Sequence, residues 1–142
     1  MATITVTNEQ LRLIQDALDM YSRIGIGQLW VIKEHPTFEE ILRKKSTFDG
    51  KVEYSLYHDM RERADRYFTL GRDTLLIDST HGQHGSFGIY NKEVHESCRV
   101  AYDLVQVIRH EFWKDDPDRS EHVVMSSVHL RTKNSNQIKV EL

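Results

Sequence analysis

The chain has 142 residues, of which 39% are hydrophobic, and a formal net charge of −3 at pH 7. This length predicts a single domain over residues 1–142, and the sequence has no run of the roughly 18 apolar residues that a membrane-spanning helix needs. The acidic balance argues against a nucleic-acid polymer as a partner, because domains that bind one usually carry a basic excess. A small anionic ligand is still compatible with this balance, because its site needs only a local cluster of positive side chains.

The single cysteine, Cys98, has no partner for a disulfide within the chain. A reducing compartment is the natural setting for such a cysteine. The first residues, Met1–Thr3, do not resemble the start of a secretory signal peptide. Together these features predict a protein that works in the cytoplasm.

The N-terminal residues predict a short strand followed by a helix. Residues 2–7 alternate between apolar and polar side chains, which is typical of a strand. Thr7 and Gln10 have the spacing of a capping box, which predicts a helix from Asn8 to about Ile24. Its apolar spacing predicts an inward face made of Leu11, Ile14, Ala17, Leu18 and Tyr21.

The middle of the chain predicts two further helices separated by turns. Gly25 and Gly27 interrupt the first helix, which either ends there or bends and resumes. The elements expected after it are a helix from a Thr37 cap to about Lys45, a turn over residues 48–51 and a helix over residues 55–70 ended by Gly71.

Residues 81–88 form a glycine-rich loop ahead of the last predicted helix. Glycine at every third position allows backbone N–H groups to converge on an anion, and a helix N-terminus also favours negative charge. Phe87 lies between two small residues, so its ring is available to stack on a base. The alternative is a flexible surface connection without a ligand. The loop matches neither a P-loop nor a dinucleotide-binding fingerprint.

A long helix is predicted over residues 92–113, with Asn91 as its N-cap. One face repeats apolar residues with alternating steps of four and three, as in a coiled-coil seam. This seam consists of Val94, Cys98, Ala101, Val105, Ile108 and Phe112. We expect it to be buried, partly against another subunit.

A second stripe lies about 100° around the same helix. It consists of His95, Arg99, Tyr102, Gln106, Arg109 and Trp113. Aromatic rings offer stacking faces, and arginine pairs with phosphate oxygens, so the stripe suits a ligand with planar rings and phosphates. The alternative is a solvated flank whose long side chains cover the edge of the core.

The C-terminal residues are rich in β-forming side chains at 122–128 and 137–142. We therefore expect an α+β fold, with several helices that include one long helix. Its small antiparallel sheet would join the N-terminal strand to the C-terminal strands.

Catalytic and metal chemistry are weakly supported by the sequence. His81, His84, His95 and Cys98 are the candidates for a zinc site, but their spacing matches no established zinc motif. Ser86 lacks the glycine pattern of a nucleophile elbow. We therefore expect no catalytic residue, no metal and no cofactor.

Three segments together resemble the phage Thoeris anti-defence 1 family, over nearly the whole chain. They read ITVTNEQLRLIQDALDMYSRIGIGQ, HGSFGIYN and VAYDLVQVIRHEFW. The resemblance implies a sponge that binds gcADPR, the cyclic ADP-ribose isomer made by Thoeris Toll/interleukin-1-receptor (TIR) proteins, and leaves it unchanged. It also implies immune evasion in the cytoplasm of the infected bacterial cell, and a homodimer that can assemble into a hexamer as a trimer of dimers.

The resemblance also implies particular ligand contacts. Phe87 would stack on adenine, Asn91 would lie at the helix N-terminus, and Arg109 would pair with the pyrophosphate. The second stripe adds Tyr102, Gln106 and His95 to these candidates.

Some members of the family bind cyclic di- or trinucleotides of the CBASS type at a separate site. The candidates for that site in this chain are Arg23, Gly25 and Gly27, where missing side chains let a ligand approach the backbone. The alternative is that the two glycines merely kink a helix.

Two other functions are compatible with the sequence. One is a nucleotide hydrolase that acts on a related signalling nucleotide through the histidine-rich loop. The other is a structural or regulatory phage protein whose long helix only forms oligomers. Incubation with the signal, followed by analysis of the small molecule, would distinguish all three.

Overall fold

A computed structural model of the chain describes residues 4–75, 85–118 and 140. Most of them are helical. The helices are α1 Asn8–Gly25, α2 Val31–Glu34, α3 Pro36–Lys45, α4 Tyr54–Leu75 and α5 Glu96–Asp115, and the strands are β1 Thr47–Phe48 and β2 Lys51–Val52. None of the helices in this described part has both the length and the apolar character that a bilayer span requires.

The chain divides into two compact units. The first unit combines Met1–Ile26 with Gly88–Leu142, and the second unit is Gly27–Phe87. Within the first unit, α1 packs against α5. Within the second unit, α3 and α2 both contact α4, and α2 also contacts α3.

Helix α1 begins as the sequence predicts. The Thr7 hydroxyl accepts a hydrogen bond from the Gln10 backbone N–H at 3.2 Å, and the Gln10 side chain accepts one from the Thr7 N–H at 2.9 Å. This capping box satisfies two N–H groups at the helix start. The capping prediction is therefore confirmed.

The predicted inward face of α1 is partly wrong. Ile14 and Tyr21 are 37% and 47% exposed, whereas Ser22 is 2% exposed. The reason lies at the end of the helix, where a Cβ added to Gly25 would lie 2.2 Å from the Cys98 sulfur. The two helices approach closely there, so the face that carries Ser22 and Gly25 points towards α5. Ile14 is left partly exposed, and Tyr21 lies at the edge of the contact, where its hydroxyl is 2.7 Å from the Ser97 hydroxyl.

Helix α5 begins later than predicted. Its N-cap is His95, whose Nδ1 accepts a hydrogen bond from the Ser97 N–H at 3.2 Å. Asn91 instead forms a local turn, in which its side-chain oxygen accepts from the Glu93 N–H at 3.0 Å. This turn competes with helix for the backbone of residues 91–94, which explains the shorter helix.

The seam of α5 is buried within the single chain. Val94 and Ile108 are each 1% exposed, and Val105 is 0% exposed. Cys98 and Ala101 are also buried, and Phe112 is half-buried. The burial prediction is confirmed for five of the six seam residues, and these five do not need a second subunit to cover them.

The second unit starts with short elements. Gly27 has a φ of 92°, which favours glycine, and it follows the C-cap Ile26 of α1. Helix α3 is capped by His35, whose Nδ1 accepts from the Thr37 N–H at 3.3 Å, so the predicted Thr37 cap is wrong. Pro36 occupies the first helical turn, where its missing N–H costs nothing.

The predicted turn over residues 48–51 is confirmed and forms a hairpin. Strands β1 and β2 are antiparallel, with Phe48 opposite Lys51. Asp49 and Gly50 have φ values of 49° and 74°, as a two-residue hairpin turn requires. Helix α4 then runs to Leu75, beyond the predicted end, with Gly71 inside the helix rather than after it.

The sheet is not the predicted one. Residues 4–7 form no strand, and Ile4 is 80% exposed. The two strands found in the described part of the chain belong instead to the hairpin at residues 47–52. Apart from residue 140, the predicted C-terminal strands at 122–128 and 137–142 lie outside the described residues.

Candidate ligand-binding site

Arg109 lies on α5 and is held by a carboxylate from α1. Its Nη2 is 3.2 Å from Asp19 Oδ1, and their side chains are 27% and 20% exposed. The other oxygen of Asp19 accepts a hydrogen bond from Arg23 Nε at 2.7 Å. One carboxylate therefore serves two guanidinium groups, which leaves a net positive charge on the three residues.

Beside Arg109, the first unit contains a cavity of about 490 Å³. This volume falls within the range of about 300–1,000 Å³ that is usual for small-molecule sites. The cavity is lined by Asn8, Arg12, Gln15, Arg109, Phe112, Trp113, Asp115, Asp116 and Pro117. It thus combines two guanidinium groups, two aromatic rings, two amides and two carboxylates.

Arg12 lies over the ring of Phe112, with its central guanidinium carbon 4.1 Å from the ring centroid. This is a cation–π contact, which orients the side chain without neutralising its charge. Nearby on α5, the rings of His110 and Trp113 stack at 5.6 Å with an interplanar angle of 20°. Trp113 therefore presents a ring whose orientation is fixed before any ligand arrives.

The acidic residues of the cavity come from the end of α5. Asp115 is the last residue of the helix, and Asp116 is its C-cap. Asp116 also accepts a hydrogen bond from the Asp118 N–H at 2.9 Å, which holds its carboxylate in place. Carboxylates repel phosphates but accept hydrogen bonds from ribose hydroxyl groups. The cavity can therefore orient a ligand that has both kinds of group.

The other stripe residues lie outside this cavity. His95 caps α5 and also contacts the Ser97 hydroxyl at 2.7 Å. Tyr102 packs edge-to-face against Tyr90, with centroids 6.1 Å apart. Gln106 is half-buried, and Asn91 is exposed in its turn. Of the six residues proposed as ligand contacts, only Arg109 is among those that line this cavity.

Arg99, the remaining stripe residue, has a buried side-chain nitrogen. Its Nε has no hydrogen-bond partner among the residues that the structure describes. The whole side chain is half-buried. Such a group is costly to leave unpaired, but Arg99 does not line the cavity and no ligand contact follows from it.

Phe87 belongs to the second unit and is half-buried there. The residues just before it are fixed by side chains of the same unit. Gln28 Nε2 donates to the Ser86 hydroxyl at 3.2 Å, and Arg72 Nη1 donates to the Gly85 carbonyl at 3.3 Å. The described end of the glycine-rich loop is therefore anchored by hydrogen bonds, and residues 81–84 lie outside the described residues.

The glycines of the predicted second nucleotide site have structural roles. Gly25 allows the close approach of α1 and α5, because any side chain there would collide with Cys98. Gly27 adopts a positive φ just after the helix. Arg23 is engaged by Asp19. These contacts favour the alternative that the glycines end and pack the helix.

Only two of the four candidate zinc ligands lie in the part of the chain that the structure describes. His81 and His84 lie outside the described residues, whereas His95 caps α5 and Cys98 is buried against Gly25. Within the described ranges, no three histidine, cysteine or acidic side chains come together as a metal site would require.

The sequence alone did not single out the residues that α1 contributes to the cavity. Arg12 and Gln15 are separated from Arg109 by about two thirds of the chain length, so only the packing of α1 on α5 brings them together. Phe112 and Trp113 were recognised as members of the seam and of the second stripe. The sequence contains no local pattern that indicates the packing of α1 on α5.

Comparison of the chain with protein-family models, with curated proteins and with solved structures finds no match in any of the three.

Proposed function

We propose that this protein is a phage anti-defence sponge that binds gcADPR, a cyclic ADP-ribose isomer, and sequesters it without cleaving it. The observation that carries the proposal is the cavity of the first unit, in which Arg12 and Arg109 lie beside the rings of Phe112 and Trp113. The sequence resemblance described above supplies the identity of the ligand. The cavity supports the class of ligand, a nucleotide with phosphates.

Each part of the proposed ligand has a chemical counterpart in the cavity. Guanidinium groups pair with pyrophosphate oxygens, and aromatic side chains stack on adenine. The carboxylates of Asp115 and Asp116 accept hydrogen bonds from ribose hydroxyl groups. A cavity of about 490 Å³ is large enough for a ligand of this class.

Sequestration without cleavage fits the side chains that line the cavity. The lining residues within the described part of the chain include no serine, threonine, cysteine or histidine. These side chains often act as nucleophile or proton carrier. The carboxylates of Asp115 and Asp116 can also do so, and the proposal assigns them to hydrogen bonds with ribose hydroxyl groups. Fixed arginine and aromatic groups, in contrast, favour tight binding because little conformational freedom is lost.

The proposal includes self-association but does not require the seam of α5 as the interface. Helix α1 leaves apolar residues exposed, among them Leu13 at 68% and Ile14 at 37%. Exposed apolar clusters of this kind are common at interfaces between subunits. The proposal does not extend to a cyclic-oligonucleotide site at Arg23, Gly25 and Gly27, because packing already explains those residues.

The test is a capture-and-release experiment with gcADPR. The purified protein is incubated with the molecule, passed through a desalting column and denatured by heat, and the released small molecule is identified by mass spectrometry. The proposal predicts intact gcADPR in a fixed ratio to protein. A degraded product would support the nucleotide hydrolase instead, and no retained ligand would support a structural protein.

A further inference from the structure

The two arginines of the cavity differ in what surrounds them. Arg109 contacts Asp19 at 3.2 Å, and its side chain is 27% exposed. The carboxylate holds the guanidinium in place and offsets part of its charge. An anion that approaches Arg109 therefore meets the negative charge of Asp19 at nearly the same place.

Arg12 is exposed and forms no ion pair with any residue that the structure describes. The central carbon of its guanidinium lies 4.1 Å from the centroid of the Phe112 ring. A cation–π contact does not use the hydrogen-bonding capacity of the guanidinium N–H groups. These N–H groups can pair with phosphate oxygens through two parallel hydrogen bonds.

We propose that Arg12 makes the main contact to the ligand's phosphates and that Arg109 is a positioning residue held by Asp19. The inference rests on the proposed function and deepens it, because it names the residue that recognises the anion. It also reverses the role that the sequence resemblance gives to Arg109. The ligand class is a diphosphate ester that carries hydroxyl groups, since Asp115 and Asp116 line the same cavity.

The expected difference between the two arginines follows from their partners. Removing Arg12 deletes a charge that no ion pair offsets. Hydrogen bonds to charged groups have strengths that correspond to about 10- to 150-fold in affinity. Removing Arg109 deletes a charge that Asp19 already offsets, so the loss of affinity should be several times smaller.

The experiment is a calorimetric titration of four proteins, each with inorganic pyrophosphate and with gcADPR. The proteins are the wild type, Arg12→Gln, Arg109→Gln and Arg23→Gln. Arg23 is a matched control, because it also pairs with Asp19 but does not line the cavity. We expect Arg12→Gln to weaken both probes by about 10- to 150-fold, Arg109→Gln to weaken them less, and Arg23→Gln to leave them nearly unchanged.

Arg12→Lys separates recognition from stability. The lysine keeps the charge but cannot form the two parallel hydrogen bonds, so we expect it to recover only part of the affinity. Thermal melts of each variant check the fold. Arg12 is exposed on α1, so its replacement should lower the melting temperature only by the small contribution of its cation–π contact with Phe112. If Arg12→Gln does unfold, the comparison between Arg12→Lys and the wild type carries the same test.

The outcomes distinguish this inference from the proposed function. Binding of pyrophosphate that depends on Arg12, without binding of gcADPR, would support the inference and overturn the proposed ligand. Binding of gcADPR that is unchanged in Arg12→Gln, or that falls more in Arg109→Gln, would overturn the inference and keep the function. If the wild type binds neither probe, both are wrong.

Discussion

The first unit and the second unit join their helices through different kinds of contact. In the first unit, α1 and α5 meet through small and apolar residues, and Gly25 approaches Cys98 so closely that no Cβ would fit. In the second unit, α3 and α4 meet through a charged network in which Tyr57 and Arg61 of α4 both contact Glu39 of α3. The stability of the contact between α1 and α5 should therefore depend mainly on side-chain volume. The stability of the contact between α3 and α4 should depend on side-chain charge.

The charged network of the second unit is compact. Tyr57, which is 8% exposed, donates its hydroxyl hydrogen to Glu39 Oε1. Arg61 Nη1 lies 3.3 Å from the other oxygen of Glu39 and 3.1 Å from the Tyr57 hydroxyl. Arg43 of α3 contacts the same carboxylate at 3.3 Å.

These contacts change the titration of the carboxyl group. The Tyr57 hydrogen bond, and then the neighbouring Arg61 and Arg43, hold the pKa of Glu39 below its usual range. The Tyr57 hydroxyl in turn raises the pKa of Arg61. The network therefore stabilises the second unit more when Glu39 is ionised than when it is protonated.

Lys33 is a second example in the same unit. It is 8% exposed, and its ammonium group pairs with Asp65 of α4. An aromatic contact between Phe38 and Phe68, with centroids 6.1 Å apart, accompanies these ion pairs. Ion pairs and apolar packing thus both stabilise the second unit, whereas packing is the main interaction between α1 and α5 in the first unit.

The largest expected effect is at the centre of the volume-sensitive contact. Val105 is 0% exposed, so Val105→Asp would bury a carboxylate among apolar residues. We expect a loss of about 4 kcal/mol or more in the free energy of unfolding. Chemical denaturation monitored by circular dichroism measures it. Leu70→Asp is the control, since Leu70 is 66% exposed and should change stability by only about 0.5 kcal/mol.

Val105→Asp also tests where subunits meet. If the buried seam is internal to each chain, the variant should unfold rather than dissociate into folded single chains. A folded, monomeric Val105→Asp protein in light scattering would instead show that the seam is a subunit interface.

The next effect concerns the close approach of the two helices. Gly25→Ala would place a methyl group 2.2 Å from the Cys98 sulfur, and we expect it to destabilise the protein by about 2–3 kcal/mol. Gly88→Ala is the matched control, because nothing lies within 4 Å of its added Cβ. Thermal and urea unfolding of both variants measure the difference.

Combining Gly25→Ala with Cys98→Ala sharpens this test. Removing the sulfur relieves part of the collision, so the double variant should lose less stability than the sum of the two single variants. Strict additivity would mean that the two residues are not in contact.

The charge-sensitive unit predicts a smaller effect that depends on pH. Tyr57→Phe removes the hydrogen bond to ionised Glu39 and should lower the free energy of unfolding by about 1.5 kcal/mol at pH 7. Because the pKa of Glu39 is lower in the folded protein, this stabilisation is fully present above about pH 4.5 and is lost as the pH falls through the folded pKa. Urea unfolding of both proteins between pH 3 and 7 should show that the difference in their free energies of unfolding becomes smaller at low pH. A difference that became larger at low pH would contradict the proposed role of the Tyr57–Glu39 hydrogen bond.

The features that the sequence predicted correctly are those that depend on residues close together in the chain. Local signals were sufficient for the capping box of α1, the hairpin turn at Asp49 and Gly50, and the apolar seam of α5. Each of these depends on residues close together in the chain. The N-terminal strand was predicted wrongly, because alternating side chains form a strand only when another strand is available for pairing.

The site was less predictable than the fold. Arg109 could be identified from its stripe, but its partner Asp19 and the cavity residue Arg12 are on another helix. Which face of α1 meets α5 depends on the contact between Gly25 and Cys98, which no local pattern indicates. His95 and Tyr102, which were predicted as ligand contacts, lie on the same stripe as Arg109 but are not among the residues that line this cavity.

The smallest expected effect is at Arg109, where the two kinds of contact meet. Its ion pair with Asp19 is partly exposed, and such pairs contribute up to about 1 kcal/mol. Arg109→Ala should therefore lower the free energy of unfolding by about 1 kcal/mol and leave the protein folded at room temperature. Arg109→Lys should recover much of that loss, because a single ammonium group can still pair with Asp19.

Ionic strength distinguishes an electrostatic role of Arg109 from a packing role. Salt screens charges strongly beyond about 8–10 Å at 0.1–0.15 M and screens a close, partly exposed pair less. The difference between the wild type and Arg109→Ala should therefore shrink modestly as salt is raised. Packing by the long arginine stem would give a difference that salt does not change. Urea unfolding at 0.02 M and 0.5 M sodium chloride measures both cases. A loss of unfolding free energy well above about 1 kcal/mol that does not change with salt would show that Arg109 stabilises the protein by packing. The contact between α1 and α5 would then depend on packing and not on this ion pair.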